Sequence, residues 1–235
     1  MRKFKHIVSL GFFCSPSLEF ERINRRQFSL PFDWIVTHSL RTVIDLINNQ
    51  FQDFLVEEYM SQFKNRPAYY KNTKLDIDFY HDFSPFKPLH TQMQAVEEKY
   101  QRRIARFYNT VKEPTLFLRY ISQQDLPYLL ANSKMILKTL QKLNPLNEVI
   151  FVANSDCCIP DLGFPIYYVQ KDKNDSVARS FLNVNKALET YILENVEAAH
   201  PKKTSLKTKF LVFANKLYRK VRLKLKIVYR HNKQH

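Results

Sequence analysis

Ile7-Val-Ser-Leu10 runs into Gly11-Phe-Phe-Cys14 and then Ser15-Pro16. The apolar run reads as a buried strand that ends at a glycine turn. Ser15 and Pro16 supply an N-cap and a first-turn proline, so a helix is expected over about 16–25. A strand that feeds a helix through a tight turn is the opening of a parallel α/β fold. Cys14 then sits at the strand-to-helix junction, close to the positive end of the helix.

Working outward, Phe28–Trp34 is aromatic and proline-broken and reads as a loop folded onto the core. Leu40, Val43, Ile44 and Ile47 follow Ser39 at helical spacing. Residues 60–91 read mostly as loop, with one strand at Leu75–Tyr80. From Met93, the positions Val96, Tyr100, Ile104, Phe107 and Val111 form one apolar stripe of a helix. Thr115–Tyr120, Glu148–Ala153 and Pro165–Gln170 have the composition of buried parallel strands. Helical patterns lie between the first two (Ile136, Leu140, Leu143) and after the third (Val177, Phe181, Leu188, Ile192). The fold class expected is α/β: three layers, a mostly parallel sheet of four to five strands with flanking helices, and a basic amphipathic helix at the C-terminus.

Composition narrows the function. Only two glycines occur among 235 residues, Gly11 and Gly163. Neither a Gly-x-Gly-x-x-Gly dinucleotide fingerprint nor a Walker phosphate loop can be built from them. The net charge of +15 belongs to one segment, because residues 201–235 carry twelve of the 37 Lys and Arg and no Asp or Glu. The remaining 25 cations nearly balance 22 acids, so a body over 1–200 and a basic tail over 201–235 are expected. Cys14, Cys157 and Cys158 are too few and too oddly spaced for a disulfide framework or a zinc site. His6, His38, His90 and His200 show no ligand spacing, and no metal or cofactor is expected. Ile7–Phe13 is too short for a signal peptide and no run of eighteen apolar residues exists, which suggests a reducing cytoplasmic setting.

In an open parallel sheet, sites form beyond the carboxyl ends of the strands. Those ends carry Gly11 to Cys14, Arg119 with Tyr120, Asn154 with Asp156, and Lys171 with Asp172. Cys14 is either a nucleophile, its thiolate favoured by the helix terminus, or a small buried hydrophobe. Arg119 ends an apolar strand, where it either pairs with a core carboxylate such as Asp33 or grips an anionic substrate group. Cys157 and Cys158 read as core filling.

Ser9-Leu-Gly-Phe-Phe-Cys14, Leu30-Pro-Phe-Asp-Trp-Ile35, Tyr80-His-Asp-Phe83, Lys99-Tyr-Gln-Arg-Arg-Ile104 and Leu116-Phe-Leu-Arg119 occur in that order. Over about residues 5–170 this set resembles the bacterial domain family described as "putative papain-like cysteine peptidases". The resemblance implies Cys14 as nucleophile and His81 as its base, the order suited to a thiolate–imidazolium pair. It leaves the third member open between Asp82, adjacent to His81, and Asp33 of the Phe-Asp-Trp loop. Asp33 and Trp34 equally suit a turn anchor and a core plug. Gly11, Trp34, Arg119, Asn154 and Lys171 complete the expected substrate-binding set. The functional expectation is a cysteine-nucleophile hydrolase or transferase. Its alternatives are a membrane-associated glycosyl- or phosphotransferase of surface-polysaccharide assembly, with Arg119 and Lys171 on a phosphorylated donor, and a non-enzymatic binding module.

In the tail, Phe210, Phe213, Leu217, Val221, Leu225 and Val228 recur at three- and four-residue steps among lysines and arginines. Residues 204–230 are expected to lie on an anionic membrane surface, at the inner face of the membrane. Docking on the protein's own core, or unspecific polyanion binding, are the competing outcomes. Specific nucleic-acid binding is not expected.

Overall fold

The structure is a computed structural model and describes residues 3–170 and 180–199. Four strands form a parallel sheet in the order β1–β6–β7–β8: β1 is His6–Ser9, β6 Thr115–Ile121, β7 Glu148–Asn154 and β8 Ile166–Val169. Every residue of β6 is buried, as expected for a strand paired on both sides and covered on both faces.

The period-two alternation of these strands builds two separate cores. Val8, Phe117, Ile121, Val149 and Phe151 point to one face. There they meet α2 (Leu40–Asn48), α3 (His90–Thr110) and α4 (Leu126–Gln141). Ile7, Leu116, Leu118, Tyr120, Ile150 and Val152 point to the other. That face is covered by α1 (Ser15–Arg22), α5 (Phe181–Val184) and α6 (Lys186–Asn195). Helix, sheet and helix make the expected three layers around a mostly parallel sheet. Ser39 caps α2 by accepting from Thr42 N at 3.4 Å, and Asn185 caps α6 through Leu188 N at 3.0 Å.

The 60–91 stretch is mostly loop and turn, as expected, and Ile77–Phe79 falls inside the strand expected at 75–80; two further short strands there join it and Ile35–Thr37 in an antiparallel sheet. Its order is β2–β5–β4–β3, where β2 is Ile35–Thr37, β3 Met60–Gln62, β4 Tyr70–Asn72 and β5 Ile77–Phe79. Each strand has three residues, too few to show an alternation, and β3 is largely exposed. Left-handed residues turn the chain between them: Asn65 at φ 61° and Asp76 at φ 54°, both of types that tolerate this region. The expected helix over 177–192 is two helices, α5 and α6, within the residues described. The tail over 201–235 and its expected helix lie outside the described residues.

Candidate active site at the ends of the parallel strands

The turn after β1 is shaped by one buried arginine. Arg119 is fully buried in the middle of β6 and faces the α4 side. Its Nη1 donates to Leu10 O at 3.0 Å and to Thr37 Oγ1 at 2.5 Å. Its Nη2 donates to Thr37 O at 3.0 Å and to Asp125 Oδ2 at 2.8 Å. Burial pushes the guanidinium below its ordinary value, and Asp125 acts against that. Asp125 Oδ1 in turn accepts from Leu40 N at 2.6 Å, at the start of α2. One guanidinium therefore ties the end of β1, the end of β2 and the residue before α4 together, and the paired carboxylate reaches α2. The carboxylate that meets Arg119 is Asp125, not Asp33, and its Nη donors are engaged within the protein.

Gly11 is bound into the same cradle. Its φ is +80°, and a Cβ there would stand 2.5 Å from Thr37 Oγ1 and 3.5 Å from Arg119 Nη1. Glycine alone lets the chain pass. Phe12, also left-handed at φ 81°, donates its N–H to Thr37 Oγ1 at 2.8 Å and accepts from Thr37 N at 3.3 Å. Its ring lies over the Arg119 guanidinium at 5.4 Å and stacks on Tyr120 at 5.7 Å. Phe13 meets Tyr120 edge-on at 5.2 Å. The Tyr120 hydroxyl donates to Asn154 Oδ1 at 2.5 Å, across the ends of β6 and β7.

Cys14 follows as the N-cap residue of α1, half-buried, with no side-chain capping bond. Its carbonyl accepts from Leu18 N at 3.3 Å. Pro16 occupies the first turn, so the residues next to Cys14 include backbone donors at 15 and 17 but none at 16. Cys14 is thus a half-exposed thiol at a helix N-terminus, beyond a strand of the parallel sheet.

The model of the family described as "Putative papain-like cysteine peptidase" matches residues 5–153. The chain belongs to this family. An uncharacterized protein of Acanthamoeba polyphaga mimivirus is 25% identical over 121 residues, covering 43% of this chain and 54% of its own length. The chain thus spans about half of that curated relative. No solved structure matches. Within the cysteine-peptidase family span fall Cys14, Asp33, Trp34, His81, Asp82 and Arg119. Asn154 and Lys171 lie beyond it, and Lys171 lies outside the described residues.

The remaining family motifs occupy different places. Asp33 is buried at the foot of β2, where Oδ2 accepts from Leu30 N at 2.9 Å and Arg26 Nε at 3.2 Å. Burial pushes its carboxyl up, and the bond from Leu30 N and the Arg26 charge oppose that. Trp34 is pinned beside it, with Nε1 on Ser29 Oγ at 3.1 Å and the Arg26 guanidinium 5.0 Å from its ring. Both are anchors of the Leu30–Trp34 turn. His81 is exposed, and its ring meets Trp34 edge-on at 6.0 Å. Asp82 turns the other way. Its carboxylate is 1% exposed and receives Lys99 Nζ at 2.5 Å and Tyr100 OH at 3.0 Å, with Arg103 at 3.9 Å. Asp82 is thus held by α3, and no hydrogen bond joins it to His81 among the described residues.

A carboxylate–imidazole pair that spacing did not reveal lies across β2 and β5. His38 Nε2 stands 2.9 Å from Asp78 Oδ2, which also accepts from Tyr80 OH at 2.7 Å. Asp78 raises the His38 pKa from its ordinary value. Burial pushes the Asp78 carboxyl up, but its bonds to His38 and Tyr80 outweigh this and hold it low. Forty residues separate the pair, and only the antiparallel register of β2 and β5 brings them together.

Proposed function

We propose that the chain is a cysteine-nucleophile hydrolase of peptidase-like type, with Cys14 attacking the carbonyl of an acyl substrate. The reading is carried by one observation: the half-exposed Cys14 thiol stands at the N-terminus of α1, within the span of the cysteine-peptidase family. Attack by sulfur places negative charge on the substrate oxygen, and a helix N-terminus such as that of α1 offers first-turn N–H groups that favour such charge. Gly11 and Arg119 serve this chemistry by holding the turn that presents Cys14. Residues 204–230 are proposed to hold the enzyme to an anionic membrane surface, from their charge and apolar spacing alone.

Cys14→Ser is the direct test. A fluorogenic acyl or peptide substrate library turned over by the full chain, and not by the folded Cys14→Ser variant, supports the reading. Equal turnover by the two proteins overturns it.

A further inference from the structure

An acyl transfer by Cys14 needs a base, and the bonding in the structure separates two imidazoles. His81 stands exposed against Trp34, and its neighbouring carboxylate is bound to Lys99, Tyr100 and Arg103. His38 has what His81 lacks: a buried carboxylate on one ring nitrogen, with the other free of hydrogen bonds among the described residues. Its position also follows the nucleophile. Thr37 O and Leu10 O are held by the same guanidinium, and Thr37 is bonded twice to Phe12. His38 is the next residue after Thr37, and Cys14 is the second after Phe12. Three backbone steps and one hydrogen-bonded crossing thus connect the two residues along the chain, His38 directly after β2 and Cys14 at the N-cap of α1.

Resting on the cysteine-hydrolase reading, we propose that His38, oriented by Asp78, is the base that activates Cys14. Asp78 fixes the tautomer: Nε2–H donates to the carboxylate, which leaves the Nδ1 lone pair as acceptor. Nδ1 takes the thiol proton, and the sulfur forms its bond to the acyl carbon as the carbonyl electron pair moves to oxygen. That pair returns as the bond to the leaving amine or alkoxide breaks, and the imidazolium gives the leaving group its proton. Solvent water, deprotonated by the same imidazole, then cleaves the thioester and returns the thiol. The groups facing His38 are Asp78 and Asp76, which favour its protonation, and Lys71, which opposes it. Tyr80, on the same oxygen of Asp78, holds the carboxylate in place.

The test is the pH profile of iodoacetamide alkylation at Cys14, resolved from Cys157 and Cys158 by peptide mass spectrometry. In the unaltered full chain the midpoint is expected below the ordinary thiol value of about 8.5. His38→Gln is expected to move it up toward that value and to slow alkylation at pH 6.5 by about tenfold or more. Asp78→Asn should shift it in the same direction by less, so one poorly folding variant does not decide the outcome. A shift in His81→Gln with none in His38→Gln assigns the base to His81 and overturns this proposal while leaving the cysteine reading in place. An ordinary thiol midpoint in the unaltered protein overturns both.

Discussion

Arg119 Nη2 and Asp125 Oδ2 meet 2.8 Å apart with both side chains out of solvent, one from the interior of β6 and one at the N-cap of α4. Such a pair is costly to break because the surviving partner stays buried and charged. Arg119→Met also leaves Leu10 O and Thr37 O without their donor. We expect it to lower unfolding free energy by about 3–5 kcal/mol in urea titrations. A loss below about 1 kcal/mol would show that water or a rearranged turn replaces the guanidinium.

The two glycines make an internal comparison. Both have left-handed φ, +80° at Gly11 and +78° at Gly163, but nothing lies within 4 Å of a Cβ at Gly163. Gly163→Ala should cost only the backbone term, about 1–2 kcal/mol. Gly11→Ala adds the clash with Thr37 Oγ1, which is itself held by Arg119, and should cost about 1–3 kcal/mol more. Chemical denaturation of the two variants side by side checks the difference. Equal costs would mean that Thr37 moves aside freely.

The His38–Asp78 pair gives a signed pH dependence. His38 has a raised pKa when folded, so its contribution is fully present below its unfolded value near 6.5 and is lost as pH rises through the folded value. Asp78 has a lowered one, so its contribution is present above its unfolded value near 3.9 and is lost as pH falls through the folded value. The pair therefore helps most between about pH 4 and 6.5. The stability gap between the unaltered chain and His38→Gln should be widest near pH 5.5 and narrow by pH 8.5. A constant gap across that range would mean that the contact stabilises without its charge.

Twelve cations with no anion repel one another unless an anionic surface collects them. Each Lys or Arg near such a surface contributes about 1 kcal/mol, and Phe210, Phe213 and Leu217 add apolar insertion. The full chain should sediment with anionic vesicles, less so as salt rises, and a chain ending at residue 203 should stay folded and remain in solution. Unfolding of the shortened chain would identify the stripe as core packing. Nucleic-acid binding with a steep salt slope, in place of vesicle binding, would identify a polyanion site.

The sequence by itself determined the parallel sheet, the β1–turn–α1 unit and the stripe of α3. These elements write their burial into contiguous residues, as apolar runs for strands covered on both faces and as a 3.6-residue period for a covered helix. It also placed Cys14 at a strand-to-helix junction, because Gly11 and Pro16 punctuate the chain on either side. The three-residue strands β2–β5 carry too few positions to show a period, and their pairing rests on register between segments up to 40 residues apart. Only the tertiary structure decided that Arg119 meets Asp125 and Thr37, that Asp33 anchors a turn, that Asp82 leaves His81, and that His38 acquires Asp78. A polar side chain's sequence neighbours do not say which buried partner will satisfy it, because that partner is set by how separate strands and helices close over one another.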